Sequence, residues 1–450
     1  MNMNIKLISP RMSLRPMDTE MKRRMAPPLS LVTIASMTPK QHTVYIEDEN
    51  VGALHFDDSP DLVGITVNVD TVYRAAEIAQ VYRTKGVKVV FGGIYASACP
   101  QDVAAYCDAV CVGEAEGLWE QIIADCASGS LQSVYQHREP VDLSLVPVAD
   151  WHFVKKRNQY LYYNVMVTSR GCPFRCEFCY NSSEYVSGKY RNRPVADVVQ
   201  EIDRIGSREI MFIDDNLIGN FDWLATLLPH LKERGIIWHG AVSTNLVHHP
   251  EWIENMAQSG CRSLFVGFES INSNSIKSVN KRQNKVDDYE KLIAMLHHHG
   301  IMVNASLVFG FDGDTTDTFD ATLQWLIKNR VETMTGHILT PYPGTVLYKR
   351  FEAEGRITSR NLLKYNTSHV VFQPAQMTPE ELQTGYVNMY RKFYTLQNII
   401  RRRPQNRKIV ASYFLFNFGY RKFGCLTSFL GTLGLMNTIG RLARKLSYNI

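Results

Sequence analysis

Three cysteines stand together in the segment Thr168-Ser-Arg-Gly-Cys172-Pro-Phe-Arg-Cys176-Glu-Phe-Cys179. Their spacing, C-x3-C-x2-C, lets three thiolates wrap one iron–sulfur cluster. Three ligands for a four-iron cluster leave one iron open. An open iron can chelate a small molecule and pass it an electron. A structural zinc site wants four protein ligands, and no fourth Cys or His stands at suitable local spacing. Three buried, unligated thiols fit poorly, because Pro173, Arg175 and Glu177 mark a polar loop. The chain has nine cysteines. An odd number with three crowded together points to metal ligation in a reducing, cytoplasmic compartment, not to a disulfide framework.

These cysteines directly follow a predicted strand, Tyr162–Thr168. Further predicted strands follow at Glu209–Ile213, Trp238–Ser243, Ser263–Val266, Met302–Phe309 and Thr333–Leu339. Helical patterns separate them, as at Val195–Ile205, Asp287–His298 and Asp317–Asn329. Six βα units in about 200 residues suit a partial or full parallel barrel, whose chemistry sits at the strand C-termini. The first 135 residues alternate in the same way. Strands are predicted at Ile5–Ser9, Thr43–Glu49, Leu62–Val67, Val87–Phe91 and Ala109–Val112. That alternation implies a doubly wound, Rossmann-like parallel sheet with its ligand site at the strand ends. Residues 136–160, punctuated by Pro140 and Pro147, read as a linker. The expected domains are therefore 1–135, a barrel over 161–365, and a helical, basic region over 366–450. A length of 450 residues accommodates them.

The cysteine segment resembles the signature of the radical S-adenosylmethionine (SAM) superfamily, including the aromatic Phe178 before the third cysteine. The resemblance covers about residues 160–365 and implies a parallel βα barrel. It implies that Cys172, Cys176 and Cys179 hold a [4Fe-4S] cluster whose open iron binds the amino and carboxylate groups of SAM. One-electron reduction then yields a 5′-deoxyadenosyl radical. Phe212-Ile-Asp214-Asp215-Asn216 resembles the family's acidic turn after the second strand, and equally an ordinary helix-capping turn. Gly267-Phe-Glu269-Ser270 resembles the segment that holds SAM, with the glutamate near its ammonium. Val308-Phe309-Gly310-Phe311-Asp312-Gly313-Asp314-Thr315 resembles the adenosine-contacting turn. Pro341-Tyr342-Pro343-Gly344-Thr345 resembles a loop near the barrel mouth.

The first domain resembles the cobalamin-binding domain that precedes the barrel in one radical SAM class. Ala26-Pro-Pro-Leu-Ser-Leu carries this, with Val89-Val-Phe-Gly92-Gly93-Ile-Tyr95 and Val112-Gly113-Glu114-Ala-Glu116. Gly92, Gly93 and Glu114 would border the corrin. Tyr95 stands where family members often have His, and the Asp-x-His-x-x-Gly motif of other cobalamin proteins is missing. Asp150-Trp-His152 is a partial look-alike in the linker. No G-x-G-x-x-G opens a helix here, so no dinucleotide site is read.

The net charge of +5 is unevenly spread. Residues 401–450 hold ten Lys and Arg and no acid, so residues 1–400 are mildly acidic. Leu426, Phe429, Leu430 and Leu433 form an amphipathic stripe beside Arg441, Arg444 and Lys445. A helix packed onto the barrel is the favoured reading, and contact with an anionic membrane surface is the rival. No secretory signal, spanning segment or nucleic-acid recognition motif is read. His297-His298-His299 read as a helix C-terminus, and Cys99, Cys107, Cys111 and Cys126 as core or incidental thiols.

The expected function is a cobalamin-dependent radical SAM enzyme. It resembles the group of hopanoid methylases and the bacteriochlorophyll ring cyclase. The resemblance implies hydrogen abstraction by the adenosyl radical and methyl transfer from methylcobalamin to an unactivated carbon of a small or lipid-like substrate. A donor such as flavodoxin or ferredoxin would supply electrons. Cyclisation, oxidation or rearrangement without methyl transfer is an alternative, and a non-catalytic iron–sulfur electron-transfer or binding protein is another.

Overall fold

The structure is a computed structural model that describes residues 2–15, 18, 20–184, 189–422, 429 and 433–448. Two six-stranded parallel sheets organise it. The first holds β1 (Asn4–Ser9), β2 (Thr43–Asp48), β3 (Leu62–Thr66), β4 (Lys88–Gly92), β5 (Ala109–Val112) and β6 (Val134–Gln136). Its order, β2-β1-β3-β4-β5-β6, reverses direction beside β1. A doubly wound sheet binds its ligand at the strand C-termini near such a reversal. The strands are runs such as Val89–Phe91, buried because helices cover both faces.

The second sheet holds β7 (Val165–Met166), β10 (Glu209–Phe212), β11 (Ile237–Val242), β12 (Cys261–Glu269), β13 (Met302–Phe309) and β14 (Thr333–Ile338). Each strand pairs with the next in sequence, and β7 and β14 form the two edges. This is the winding of a (βα)6 barrel left open on one side. Between β7 and β10 a short antiparallel ribbon forms from β8 (Ser169–Arg170) and β9 (Arg191–Asn192). The cysteine loop hangs from this ribbon.

The C-terminal edges of the two sheets face each other. Glu116, after β5, pairs with Arg170, just after β7. At the other rim Gly344, after β14, abuts the helix Ile94–Ala98 that follows β4. A Cβ at Gly344 would lie 2.9 Å from the Ala98 carbonyl oxygen, and the glycine's φ of 88° favours the same residue.

The helix Pro379–Phe393 opens with a Thr378/Glu381 capping box and a proline at its first turn. It lies on β14, where Gly336 leaves room for Tyr390. Tyr390 Oη accepts from the Gly336 amide at 2.7 Å, and Tyr394 Oη donates to the Met334 carbonyl at 3.3 Å. Arg402, from the basic region, is fully buried. It donates to the carbonyls of Val331 (2.7 Å), Glu332 (2.8 Å) and Phe393 (3.1 Å) and to Asn417 Oδ1 (3.1 Å). Its guanidinium stacks 3.5 Å from the Phe393 ring centroid. This part of the tail therefore packs on the barrel. Leu426 and Leu430 of the predicted stripe lie outside the described residues, whereas Phe429, Leu433 and Leu442 are exposed. Among the described residues no helix is long and apolar enough to cross a membrane.

Replacing Arg402 with methionine would take the guanidinium from the Val331 and Phe393 carbonyls and leave the Glu332 carbonyl with Asn417 Nδ2 alone, at 3.0 Å. An expected loss of about 3–5 kcal/mol follows. Urea unfolding followed by circular dichroism reads it, and a loss below about 1 kcal/mol would contradict the anchoring role.

Candidate active site

The cysteine loop is placed by the ends of β7 and β10. Asp214, 3% exposed, accepts from the Thr168 amide (2.9 Å) and hydroxyl (2.9 Å) and from the Ser169 amide (2.5 Å) and hydroxyl (2.5 Å), all on one carboxylate oxygen. Burial pushes the pKa of Asp214 up against these bonds. The acidic turn thus works as a clamp on the backbone entering the loop. Asp215 reaches the loop's far end, where Asn181 Nδ2 donates to it at 3.2 Å.

Within the loop the Glu177 amide donates to the Val279 carbonyl (3.2 Å), and the Leu347 amide donates to the Glu177 carbonyl (3.0 Å). Gln283 Nε2 contacts Cys176 Sγ at 3.7 Å. Burial raises the thiol of Cys172 to about 11 and that of Cys179 to about 12, and also raises Cys176. Iron must therefore displace protons on binding. Among the described residues, no three His, Cys, Asp or Glu side chains close on a point that would hold one metal ion. A four-iron cluster takes one thiolate at each of three separate corners, and three cysteines in one loop supply that number. The donor set fits.

Beside the cysteines lies an ion pair that sequence reasoning missed. Lys281 Nζ meets Glu269 Oε1 at 2.5 Å, and both residues are buried. Ser306 Oγ donates to the other Glu269 oxygen at 3.1 Å. Lys281 also stands 6.0 Å from the Phe178 ring centroid. Burial opposes its charge, but Glu269, Cys176 and Cys179 outweigh this and its pKa is raised. Gly267 makes the pair sterically feasible, since a Cβ there would come 2.8 Å from Glu269 Oε1 and 3.1 Å from Lys281 Nζ. Glu269 itself has φ of 64°, at a register shift near the end of β12. Such strain in a non-glycine residue persists where surrounding structure over-determines it. The signal for Lys281 was faint: one lysine in Asn280-Lys281-Arg282-Gln283, with no strand end to single it out.

The other predicted SAM residues divide. Phe178 lies with the pair and packs 6.1 Å from the Phe311 ring. Ser270 Oγ accepts from the Asn272 amide (3.1 Å), so it shapes the turn after β12. Gly310 has φ of 103° and is closed off by Leu382, which a Cβ would meet at 2.7 Å. Asp312 is held by Arg356 at 2.7 Å and Arg350 at 3.3 Å. These two shape the turn from outside. Asp314, in the same motif but given no role of its own there, shapes it from inside. One of its oxygens accepts from the Gly310 (2.9 Å) and Phe311 (3.1 Å) amides, and the other accepts from Ser275 Oγ (2.6 Å).

Burial raises Asp314 from 3.8 to about 6. A raised carboxyl pKa makes the folded state the better proton binder below that value. Its contribution is full below the unfolded pKa and is lost as pH rises through the folded one. The stability of the wild type relative to Asp314→Asn is therefore expected to rise by about 2 kcal/mol between pH 7 and pH 4. A flat difference, read by urea unfolding across that range, would contradict the burial of this carboxyl.

In the first domain Gly93 is fixed by backbone, with φ of 97° and Val67 N 2.8 Å from any Cβ. Gly92 is not, since a Cβ there would meet Cys111 only at 3.9 Å. Packing within the chain does not require its bare backbone, which suits close approach of a large planar ligand. Glu114 faces Arg191 and Arg170 across the mouth. Tyr95 is buried and donates to Asp102 at 3.0 Å. His152 is exposed and paired with its own Asp150 at 2.7 Å. Of the incidental thiols, Cys107 and Cys111 are buried and Cys99 and Cys126 partly so. His297, at its helix end, reaches Glu332 at 3.1 Å. A buried row, Ser263 Oγ to His239 Nδ1 (2.6 Å) and His239 Nε2 to Glu209 (3.2 Å), crosses three strands near their N-terminal ends. It floors the barrel on the side away from the mouth.

Parallel sheets meeting at their C-terminal edges, with a three-cysteine loop after the first barrel strand, define an enzyme class that joins a second cofactor domain to a cluster-bearing barrel. A family profile described as the Radical SAM superfamily matches residues 166–326, and the profile Domain of unknown function (DUF4070) matches residues 345–413. Bacteriochlorophyllide d C-12(1)-methyltransferase of Chlorobaculum tepidum is 30% identical, over 83% of this chain and 84% of its own. Hopanoid C-2 methylase of Rhodopseudomonas palustris is 28% identical, over 74% of this chain and 65% of its own. The radical SAM methyltransferase TsrM of Kitasatospora setae, solved with cobalamin and a [4Fe-4S] cluster, aligns over 99% of both chains with a TM-score of 0.68 at 17% identity. The cobalamin-dependent enzyme OxsB, solved with aqua-cobalamin, aligns over 95% of this chain and 73% of its own with a TM-score of 0.70 at 15% identity. The chain belongs to the radical SAM superfamily and is an enzyme of the two-sheet architecture expected from its sequence.

Proposed function

We propose that the protein is a cobalamin-dependent radical SAM methyltransferase acting on an unactivated carbon of a small or lipid-like substrate. The observation that carries this is the meeting of two strand-end sites: the cysteine loop with Glu269 and Lys281 on one sheet, and the Gly92 edge on the other. When bound, the cluster and SAM would supply a carbon-centred radical, and cobalamin would supply a methyl group that a second SAM restores, leaving S-adenosylhomocysteine. Cys172, Cys176 and Cys179 would hold the cluster. Glu269 would face the ammonium of SAM, and Lys281 offers a donor to its carboxylate. Phe178, its ring tilted against that of Phe311, would flank that site.

The names of two relatives, bacteriochlorophyllide d C-12(1)-methyltransferase and hopanoid C-2 methylase, support methyl transfer to carbon. Cyclase relatives are more distant, at 24% identity. An electron donor of the flavodoxin or ferredoxin kind completes the reading. Exposed Leu433 and Leu442 beside Arg441 support contact with an anionic membrane surface, from which a lipid-like substrate could be drawn.

The test is anaerobic reconstitution with iron, sulfide and cobalamin, followed by desalting and absorption spectroscopy. Corrin bands retained at about one equivalent support the reading. A cluster without retained corrin would turn the search to radical chemistry without methyl transfer.

A further inference from the structure

The mouth holds a charged constellation of which the reading above assigns Glu114 alone, to the corrin border. β8 and β9 form the neck of the cysteine loop, and Arg170 stands directly opposite Arg191 across that ribbon. Like charges so opposed repel. Both are turned onto the segment that follows β5 in the first sheet. Arg170 donates to Glu116 through both terminal nitrogens, one of them at 3.0 Å, and lies 3.3 Å from Glu114. Arg191 donates to both oxygens of Glu114, at 2.9 and 2.7 Å, and to the Val141 carbonyl at 2.5 Å. Glu116 is 4% exposed. Two arginines and two glutamates thus balance in charge, each guanidinium forked onto a carboxylate.

Arg170 is followed by Gly171 and Cys172, so one residue separates the network from the first cluster ligand. The opposite rim is closed by Gly344 against Ala98. The first domain is therefore tied at both edges of the open barrel. Half-buried ion pairs add little net stability compared with apolar packing. Forked arginine–carboxylate pairs do fix direction and distance. A reaction with one reagent on each sheet needs that fixed relation, because small misplacements of reacting groups lower rates steeply.

We propose that the Arg170–Glu116–Glu114–Arg191 network is a positioning clamp. It locks the cysteine loop against the first domain and so sets the alignment of the SAM site with the cobalamin site. The alignment role rests on the cobalamin reading above, whereas the clamp itself is a property of the bare chain.

The experiment uses the full chain and three variants: Arg170→Gln, Glu116→Gln and the double. Hydrogen exchange of the cofactor-free protein is read first. Each single variant is expected to exchange about tenfold faster over residues 113–117 and 169–184, with β12 and β13 as protected as in the wild type. The double variant should match Arg170→Gln alone, since that change already removes the Glu116 pair along with the Glu114 contact. Unchanged exchange in those segments, or effects that add, would overturn the clamp. Arg170→Lys, which keeps the charge and loses the fork, should fall between. In the reconstituted enzyme with SAM and reductant, 5′-deoxyadenosine formation should stay within about twofold of wild type. S-adenosylhomocysteine formed per deoxyadenosine should fall about tenfold or more. An unchanged ratio would overturn the alignment role. A wild type that retains no corrin would instead overturn the functional reading, and the hydrogen-exchange result alone would then decide the clamp.

Discussion

Changing Cys176 to alanine is expected to abolish SAM cleavage, lowering 5′-deoxyadenosine formation by at least about a thousandfold. Cys176 is 8% exposed and sits between the loop's other two thiols in sequence. Two remaining thiolates leave a four-iron cluster with too few protein ligands to be held as three would hold it. The loop should survive the change, because its backbone is fixed by Asp214, by the Val279 carbonyl and by the Leu347 amide. The stability loss should stay near about 1–2 kcal/mol, that of trimming a small buried side chain. Anaerobic SAM cleavage with dithionite, alongside iron content and circular dichroism, reads both. Retained cleavage in a folded variant would remove Cys176 from the ligand set.

Breaking the Glu269–Lys281 pair is expected to have the next largest effect. Lys281→Met leaves a carboxylate buried with only Ser306 as a direct partner, and removal of one member of such a pair typically costs about 3–5 kcal/mol. SAM cleavage should fall about a hundredfold or more, because Glu269 loses the partner that holds its rotamer and SAM loses a cationic neighbour. The double variant Glu269→Gln, Lys281→Met separates the two contributions. It should recover most of the stability, since no unpaired charge remains, and none of the activity. A double variant as unstable as the single would show that packing, not charge, makes the pair important. Full cleavage in Lys281→Met would remove the residue from the site.

The architecture was readable because its signals were local. Each barrel strand from Glu209 onward was expected within two or three residues of where it ends, and the runs of Val, Ile and Phe there are bounded by polar turns. The first barrel strand was drawn too long. Only Val165–Met166 pair with β10, since Asp214 captures the Thr168 and Ser169 amides that would have extended it. β6 and the β8–β9 ribbon are two or three residues long and carry no periodicity to read.

The site was readable only where one segment supplied it. The three cysteines lie within eight residues, so their spacing declares them. Lys281 meets Glu269 across twelve positions, and Glu114 meets Arg191 across 77. Such partners are chosen by topology, which a strand-end motif does not reveal. The same gap explains Asp312 and Gly310. Their motif marks a turn expected to lie beside SAM, and the Arg356, Arg350 and Leu382 side chains that pack on it come from later elements.

The central claim is that one chain runs two uses of SAM, one at the cluster and one at cobalamin. The most direct measurement is mass spectrometry of a single anaerobic reaction. The reconstituted enzyme, loaded with cobalamin, is given SAM and reductant, and both small products are quantified. Formation of 5′-deoxyadenosine together with S-adenosylhomocysteine, each lost when its own cofactor is withheld, is the predicted result. Deoxyadenosine that forms at the same rate with no S-adenosylhomocysteine, whether cobalamin is present or absent, would contradict it.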